Sequence, residues 1–204
     1  MIQPRSLAEF HDYIKNKEIH ITEEQIFDWL KMYRRWPLHY GVDRSLKGTL
    51  AGGAESLDAV SVIANDHVKT LSFFTKITPL GIYLNFDDWY YYHERGFTST
   101  INNILDLNED LREIEKVSKK ILGFQVQGNF YFSRKSDYNV ASFLPHAHDY
   151  TVIVKQIYGT SRWILNHKEF DIKPQQSFVI PDGCEHGVIT KKTDKLSLTI
   201  NIAH

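Results

Sequence analysis

Cysteine is nearly absent: the 204 residues hold one, Cys184. That excludes a disulfide within the chain, and a reducing compartment is expected. No run approaches the roughly 18–20 apolar residues that a membrane span needs. The first residues, MIQPRSLAEFHDYIKNKE, lack the apolar segment of a secretory signal. A cytoplasmic protein with no membrane partner is therefore expected. Blocks of Lys or Arg are missing too. The 24 basic and 25 acidic residues nearly cancel, so nothing marks a binder of phosphate backbones and no nucleic-acid partner is expected. The densest charge run, Glu109 to Lys120, mixes both signs at helical spacing and reads as a solvated helix face.

What is present suits one globular domain with a sizeable core: 42% apolar and 24% charged residues. Eleven Tyr and twelve Phe fit a thick β core, whose pleated faces accept aromatics readily. The first third reads helical. Ser6 with Glu9, and Thr22 with Gln25, have capping-box spacing. Ile26, Phe27, Trp29, Leu30 and Tyr33 form roughly one helical stripe, which Pro37 should end. Gly41 to Gly53 reads as a loop, and Glu55 to Ala64 as another short helix.

From about Thr70 the texture becomes that of strands. Leu71–Ile77, Ile82–Phe86 and Phe97–Ile104 are short β-branched or aromatic runs. A helix over about 108–121 interrupts them, with Asn108 as N-cap and Gly123 closing it. Strands are then expected over Phe124–Ser133, Tyr150–Ile157, Arg162–Leu165 and Ser177–Ile180. The last run has a clean period of two: Leu196, Leu198, Ile200 and Ile202 alternate with Ser197, Thr199 and Asn201. The expected fold is mainly β, a sandwich or jelly roll with N-terminal helices packed around it. One domain spans 1–204, with 1–66 mainly helical and the β core over about 70–204. The cluster Trp89 to His93 reads as a core strand or an oligomer contact, with a substrate wall as the other reading.

The chemistry concentrates in Pro145 to Gly159, PHAHDYTVIVKQIYG. On a strand, His146 and His148 point to one face, where two imidazoles can converge on one ion. His186, after the turn Pro181-Asp182-Gly183, is the candidate third ligand. Imidazole suits Fe, Zn, Cu and Ni, and three protein ligands leave coordination positions open for chemistry. With ten histidines in the chain, one His-x-His pair can also arise by chance.

The flanking residues add specificity. Pro145, His146, Val152, Gln156, Gly159 and Trp163, then Ile180, Pro181, Gly183 and His186, follow in order. Upstream stand Gly96-Phe97-Thr98, Asn102, Asn129, Tyr131 and Ser133. From about Gly96 to Ala203 this pattern resembles the JmjC-type cupin oxygenases, nearest to their ribosomal-oxygenase branch. The resemblance implies a double-stranded β-helix, a metal site at His146, His148 and His186, Fe(II) or another divalent metal, and 2-oxoglutarate as cosubstrate. It places Asn129, Tyr131 and Asn201 in the cosubstrate pocket. The sequence departs from the family twice. His148 stands where the family has a carboxylate ligand, giving three neutral imidazoles. Ser161 stands where the family has a Lys or Arg to grip the cosubstrate's distal carboxylate, and a hydroxyl cannot replace that charge-assisted bond. Neighbouring Arg162 substitutes only if the strand register slips; Arg134, Lys155 and Lys76 are further cations. Asp149 is either exposed or a hydrogen-bond acceptor that orients a liganding histidine.

Three functions follow: an Fe(II) oxygenase hydroxylating a small molecule or peptide with 2-oxoglutarate, a three-histidine metal cupin dioxygenase or isomerase that works without it, or a non-enzymatic, metal-bound ligand-sensing cupin. The long C-terminal extension of the ribosomal oxygenases has no counterpart here, which favours a small molecule or short peptide over a ribosomal protein. The N-terminal helices either cover the barrel or make a homodimer contact. The polar segment Ser133 to Leu144 is a candidate lid.

Overall fold

The computed structural model describes residues 3–31, 60–64, 67–69, 75–78, 81–135, 144–189 and 193–203. Two helices lead: α1 (Pro4–Asn16) and α2 (Glu23–Lys31). Four short strands follow: β1 (Val60–Ala64), β2 (His67–Lys69), β3 (Thr75–Thr78) and β4 (Gly81–Leu84). Then come α3 (Phe86–His93), β5 (Thr98–Ile101), α4 (Glu109–Leu122) and β6 (Gln127–Ser133). The chain continues through β7 (Thr151–Tyr158), β8 (Ser161–Leu165), β9 (Lys168–Ile172), β10 (Ser177–Ile180), β11 (His186–Ile189) and β12 (Lys195–Ile202).

A seven-stranded sheet runs β10-β7-β12-β6-β5-β1-β2, a three-stranded sheet β11-β8-β9, and β3 pairs with β4. The expected mainly-β cupin architecture is what forms. The two faces of the large sheet do different work. Leu196, Leu198, Ile200 and Ile202 of β12 join Phe130, Phe132, Ile153 and Ile157 in one apolar cluster that also takes in Phe10 and Ile14 of α1 and Leu111 and Ile114 of α4. The helices therefore cover this outer face. Val152 and Val154 face the other way, packing with Trp163, Ile172, Phe178 and Val188 between the sheets. This alternation fixes which residues of β6, β7 and β12 look into the barrel.

The helix ends show what holds them. Thr22 and Gln25 form the expected reciprocal cap: Thr22 N donates to Gln25 Oε1 at 2.9 Å and Gln25 N to Thr22 Oγ1 at 3.2 Å. Asn108 Oδ1 accepts from Leu111 N at 2.9 Å, and Gly123 ends α4 at φ 86°. Ser6 does not cap α1, which begins two residues earlier with Pro4 in its first turn and Gln3 as N-cap.

Two expectations are corrected. Val60–Ala64 is a strand rather than helix, pairing with β2 on one side and β5 on the other; two partners outweigh the helical reading of Glu55–Ala64, whose first five residues lie outside the described set. Trp89–His93 is helical rather than a strand. Asp87 and Asp88 favour the first turn of α3. Rings four apart then stack, Phe86 on Tyr90 at 5.7 Å and Trp89 on His93 at 4.9 Å. Strand β9 went unread in the sequence. The expectations for Pro37, for Gly41–Gly53 and for Leu71–Phe74 also fall outside the described residues. So does most of the candidate lid, at 136–143. No helix of the described residues is long and apolar enough to cross a membrane.

Candidate metal centre

The three histidines converge. His146 precedes β7 and forms an isolated antiparallel bridge with His186 at the start of β11. His146 N donates to His186 O at 2.9 Å, and His186 N to His146 O at 2.8 Å. The intervening turn closes with Cys184 N on Pro181 O at 3.1 Å, and Gly183 N donates to His148 O at 2.8 Å. Three backbone bonds thus tie the two ligand segments together. The ring centroids lie 4.6–5.0 Å apart, and one ring nitrogen from each histidine lies within 4.8 Å of the others. His148 is not in a regular strand, yet its ring meets that of His146 at 4.8 Å.

The ring nitrogens are already sorted. His146 Nδ1 faces Leu144 O at 2.8 Å and His186 Nδ1 faces Cys184 O at 3.0 Å. A carbonyl can only accept, so each Nδ1 carries the proton and each Nε2 keeps its lone pair for a ligand. Burial lowers the pKa of His148 to about 4, helped by its two histidine neighbours. Burial also lowers that of His186, against the opposing Cys184 carbonyl. A neutral imidazole is the form that binds metal. Nitrogens that share one ion at about 2.1 Å in a tetrahedral or facial set lie about 3.0–3.4 Å apart, so the three rings draw together on loading. The donor set fits a borderline ion such as Fe, Zn, Cu or Ni. Asp149 is exposed and makes no hydrogen bond to either imidazole among the described residues; the carbonyls hold the rings instead.

Inside the barrel, polar side chains of β6, β7, β8 and β12 lie beside the apolar cluster between the sheets. β6 pairs with β12 so that Asn129 faces Thr199, Tyr131 faces Ser197 and Ser133 faces Lys195. On the other side of β12, Asn201 faces Val152 and Ser197 faces Gln156. Asn129 and Asn201 are half-buried and inward by this alternation; Asn129 Oδ1 accepts from Asn103 N at 3.3 Å. Burial and the neighbouring Tyr150 push the Tyr131 hydroxyl well above its ordinary pKa, keeping it a neutral donor. Tyr150 stacks on His148 at 4.7 Å and 12°. Ser161 is fully buried and inward, but its hydroxyl donates to Gln156 Oε1 at 2.9 Å, which also accepts from Ser197 Oγ at 2.8 Å.

The candidate cations separate. Arg162 does not reach the interior: it alternates with inward Ser161 and Trp163, and its Nε donates to Asp171 Oδ1 at 3.0 Å across the β8–β9 pair. The register slip that would turn it inward does not occur. Arg134 is engaged by Glu23 at 2.6 Å, Glu94 at 2.8 Å and Asp194 at 3.5 Å. Lys155 is buried rather than at the surface, but on the outer face, with its Nζ on the carbonyl of Lys15 in α1 at 3.1 Å. Lys76 lies on β3. Sequence reasoning passed over Lys195, although one more step of the alternation Ser197, Thr199, Asn201 reaches it.

Comparison with known proteins places this fold. Residues 131–200, about a third of the chain, match the family model of the AraC-like ligand binding domain. No curated protein matches the sequence. Among solved structures, YcfD, a ribosomal oxygenase from Escherichia coli, aligns over 93% of this chain with a TM-score of 0.57 and 13% identity. Its complexes with cobalt and succinic acid and with cobalt and 2-oxoglutarate align over the same share at TM-scores of 0.56 and 0.55, with 13% and 12% identity. This chain spans 45% of the length of those structures. The chain shares its fold with this ribosomal oxygenase.

Proposed function

We propose that this chain is a metal-dependent cupin oxygenase in which His146, His148 and His186 hold one divalent ion, iron(II) in the cell, and that 2-oxoglutarate is the cosubstrate for hydroxylation of a small molecule or peptide. The observation that carries the reading is the convergence of three imidazoles, two of them with Nδ1 committed to backbone carbonyls. A bound ion would supply Lewis acidity and open coordination positions. The chain's own residues do the rest. The carbonyls of Leu144 and Cys184 orient the rings. Tyr150 packs one face of His148, and the inward side chains of Asn129, Tyr131, Thr199 and Asn201 present hydrogen-bonding groups to whatever enters. The shared fold with an oxygenase whose structures contain cobalt and 2-oxoglutarate supports the reading.

The test is anaerobic addition of Fe(II) and then 2-oxoglutarate to metal-free protein, followed by visible absorption. A weak new charge-transfer band supports the reading; iron binding with neither a band nor heat of keto-acid binding overturns the 2-oxoglutarate part. Two observations favour other readings. Ser161 in place of a cation, together with a third histidine in place of a carboxylate, favours a three-histidine cupin whose substrate meets the metal directly. The match of residues 131–200 to a ligand-binding domain favours a sensor. Succinate release coupled to oxygen consumption selects the proposed reading, oxygen uptake without 2-oxoglutarate the second, and metal and ligand binding with no turnover the third.

A further inference from the structure

The three histidines are not held alike. His146 and His186 each have Nδ1 on a backbone carbonyl, at 2.8 and 3.0 Å. Neither ring nitrogen of His148 has a hydrogen-bond partner among the described residues. Its main chain is fixed, since His148 O accepts from Gly183 N at 2.8 Å. That bond leaves the ring free to turn about its own side-chain bonds. A liganding histidine normally takes its tautomer and its orientation from a partner on the second nitrogen. His148 lacks one.

Tyr150 supplies what is missing. Its ring lies on that of His148 at 4.7 Å and 12°, a stacked arrangement that aromatic pairs favour. His146 and His186 meet the same ring steeply, at 74° and 54°. Stacking occupies the face of an imidazole and leaves its edge, where the lone pair lies in the ring plane, open to an ion. The tyrosine ring is itself held: it is buried in the cluster with Val152, Trp163, Ile180 and Cys184 between the sheets. Ile180 leads into the turn whose Gly183 grips the His148 main chain, so one packed unit fixes backbone and ring together. The Tyr150 hydroxyl makes no hydrogen bond among the described residues. What Tyr150 gives His148 is therefore the flat of its ring. A carboxylate at position 148 would offer no face to stack on, so the contact belongs to a histidine at that position.

We propose that Tyr150 is the positioning residue for His148: stacking fixes the plane of the imidazole in place of a hydrogen bond at Nδ1. His148 is then the least tightly held of the three ligands. The inference rests on the reading that the three histidines hold one ion.

The test compares Tyr150→Leu, which keeps apolar volume and loses the flat face, with Tyr150→Phe, which keeps the face and loses the hydroxyl. Cobalt(II) affinity is measured by competition with a chromogenic chelator. Tyr150→Leu should weaken binding about tenfold, the low end of what loss of an orienting partner costs, while Tyr150→Phe should stay within about threefold of wild type. Long-range proton–nitrogen spectra of metal-free protein give a second readout, which general loosening does not mimic. There Tyr150→Leu should move the ring signals of His148 and leave those of His146 and His186 in place. A leucine variant that binds cobalt as wild type does, or that binds weakly with His148 signals unmoved, overturns the positioning role and leaves the metal centre standing. So does a phenylalanine variant that falls with the leucine one, or a leucine variant that moves all three histidines together, since each marks a merely structural tyrosine. Wild type that binds no cobalt overturns the metal reading and the positioning role with it.

Discussion

His146 and His186, forty positions apart in sequence, exchange both of their backbone hydrogen bonds, at 2.9 and 2.8 Å. The pair that brings two imidazoles to one point is thus fixed by main chain, and the ring orientations by the carbonyls of Leu144 and Cys184. Neither depends on a side-chain carboxylate. Asp149→Ala should therefore leave metal affinity within about threefold of wild type, far from the 10–100-fold loss typical when an orienting partner is removed. Competition with a chromogenic chelator measures it.

Gln156 holds the polar interior together by accepting from both Ser161 and Ser197 at 2.9 and 2.8 Å. Gln156→Leu strands two buried hydroxyls. The expected loss is about 2–4 kcal/mol, against about 1 kcal/mol for Ser161→Ala, where one donor disappears with its bond. Urea unfolding of the two variants tests the ordering.

Gly159 sits at φ +70°, and a Cβ there would meet Asp194 O at 2.1 Å and Lys195 Cα at 2.8 Å. Both obstacles are backbone, so the turn itself must shift. Gly159→Ala should cost more than the roughly 1–2 kcal/mol of the left-handed conformation alone. Thermal melting of Gly159→Ala against wild type measures it.

The β half was legible because its alternation is strict. In Lys195–Ile202 every second residue is a large aliphatic, and that face is the one the helices cover. The histidines were legible through the residues that flank them, Pro145, Gln156, Gly159 and Trp163 with Ile180, Pro181 and Gly183, because in a chain with ten histidines their spacing alone can arise by chance. Other features are set by partners that the sequence does not display. Arg162-Trp163-Ile164-Leu165 has no polar alternation, so its phase, and with it the direction of Arg162, is decided by pairing with Asp171. Aromatic residues 89–92 prefer strands by propensity, yet ring stacking and burial four residues apart make them a helix. Lys195 reads as the charged start of an edge until the barrel closes around it.

His93 is buried against Trp89, with Phe132 at 4.2 Å and Ser99 Oγ at 3.3 Å from its Nδ1. Burial, with a contribution from Arg134, pulls its pKa from 6.5 to about 3. The folded value lies below the unfolded one, so the unfolded chain takes up the proton first as pH falls. Its contribution is intact above about pH 6.5 and declines towards pH 3, by up to about 1.4 kcal/mol per pH unit. Between pH 7 and 5 wild type should lose about 2 kcal/mol more than His93→Phe. Chemical unfolding at the two pH values measures the difference.

Cobalt(II) titration of metal-free protein, read by visible absorption, tests the metal centre most directly. Wild type should saturate at one equivalent. His146→Ala, His148→Ala and His186→Ala, each checked by circular dichroism to remain folded, should show no saturable binding. Wild type that binds no cobalt, or folded variants that bind it as wild type does, would show that these three histidines do not form one metal site.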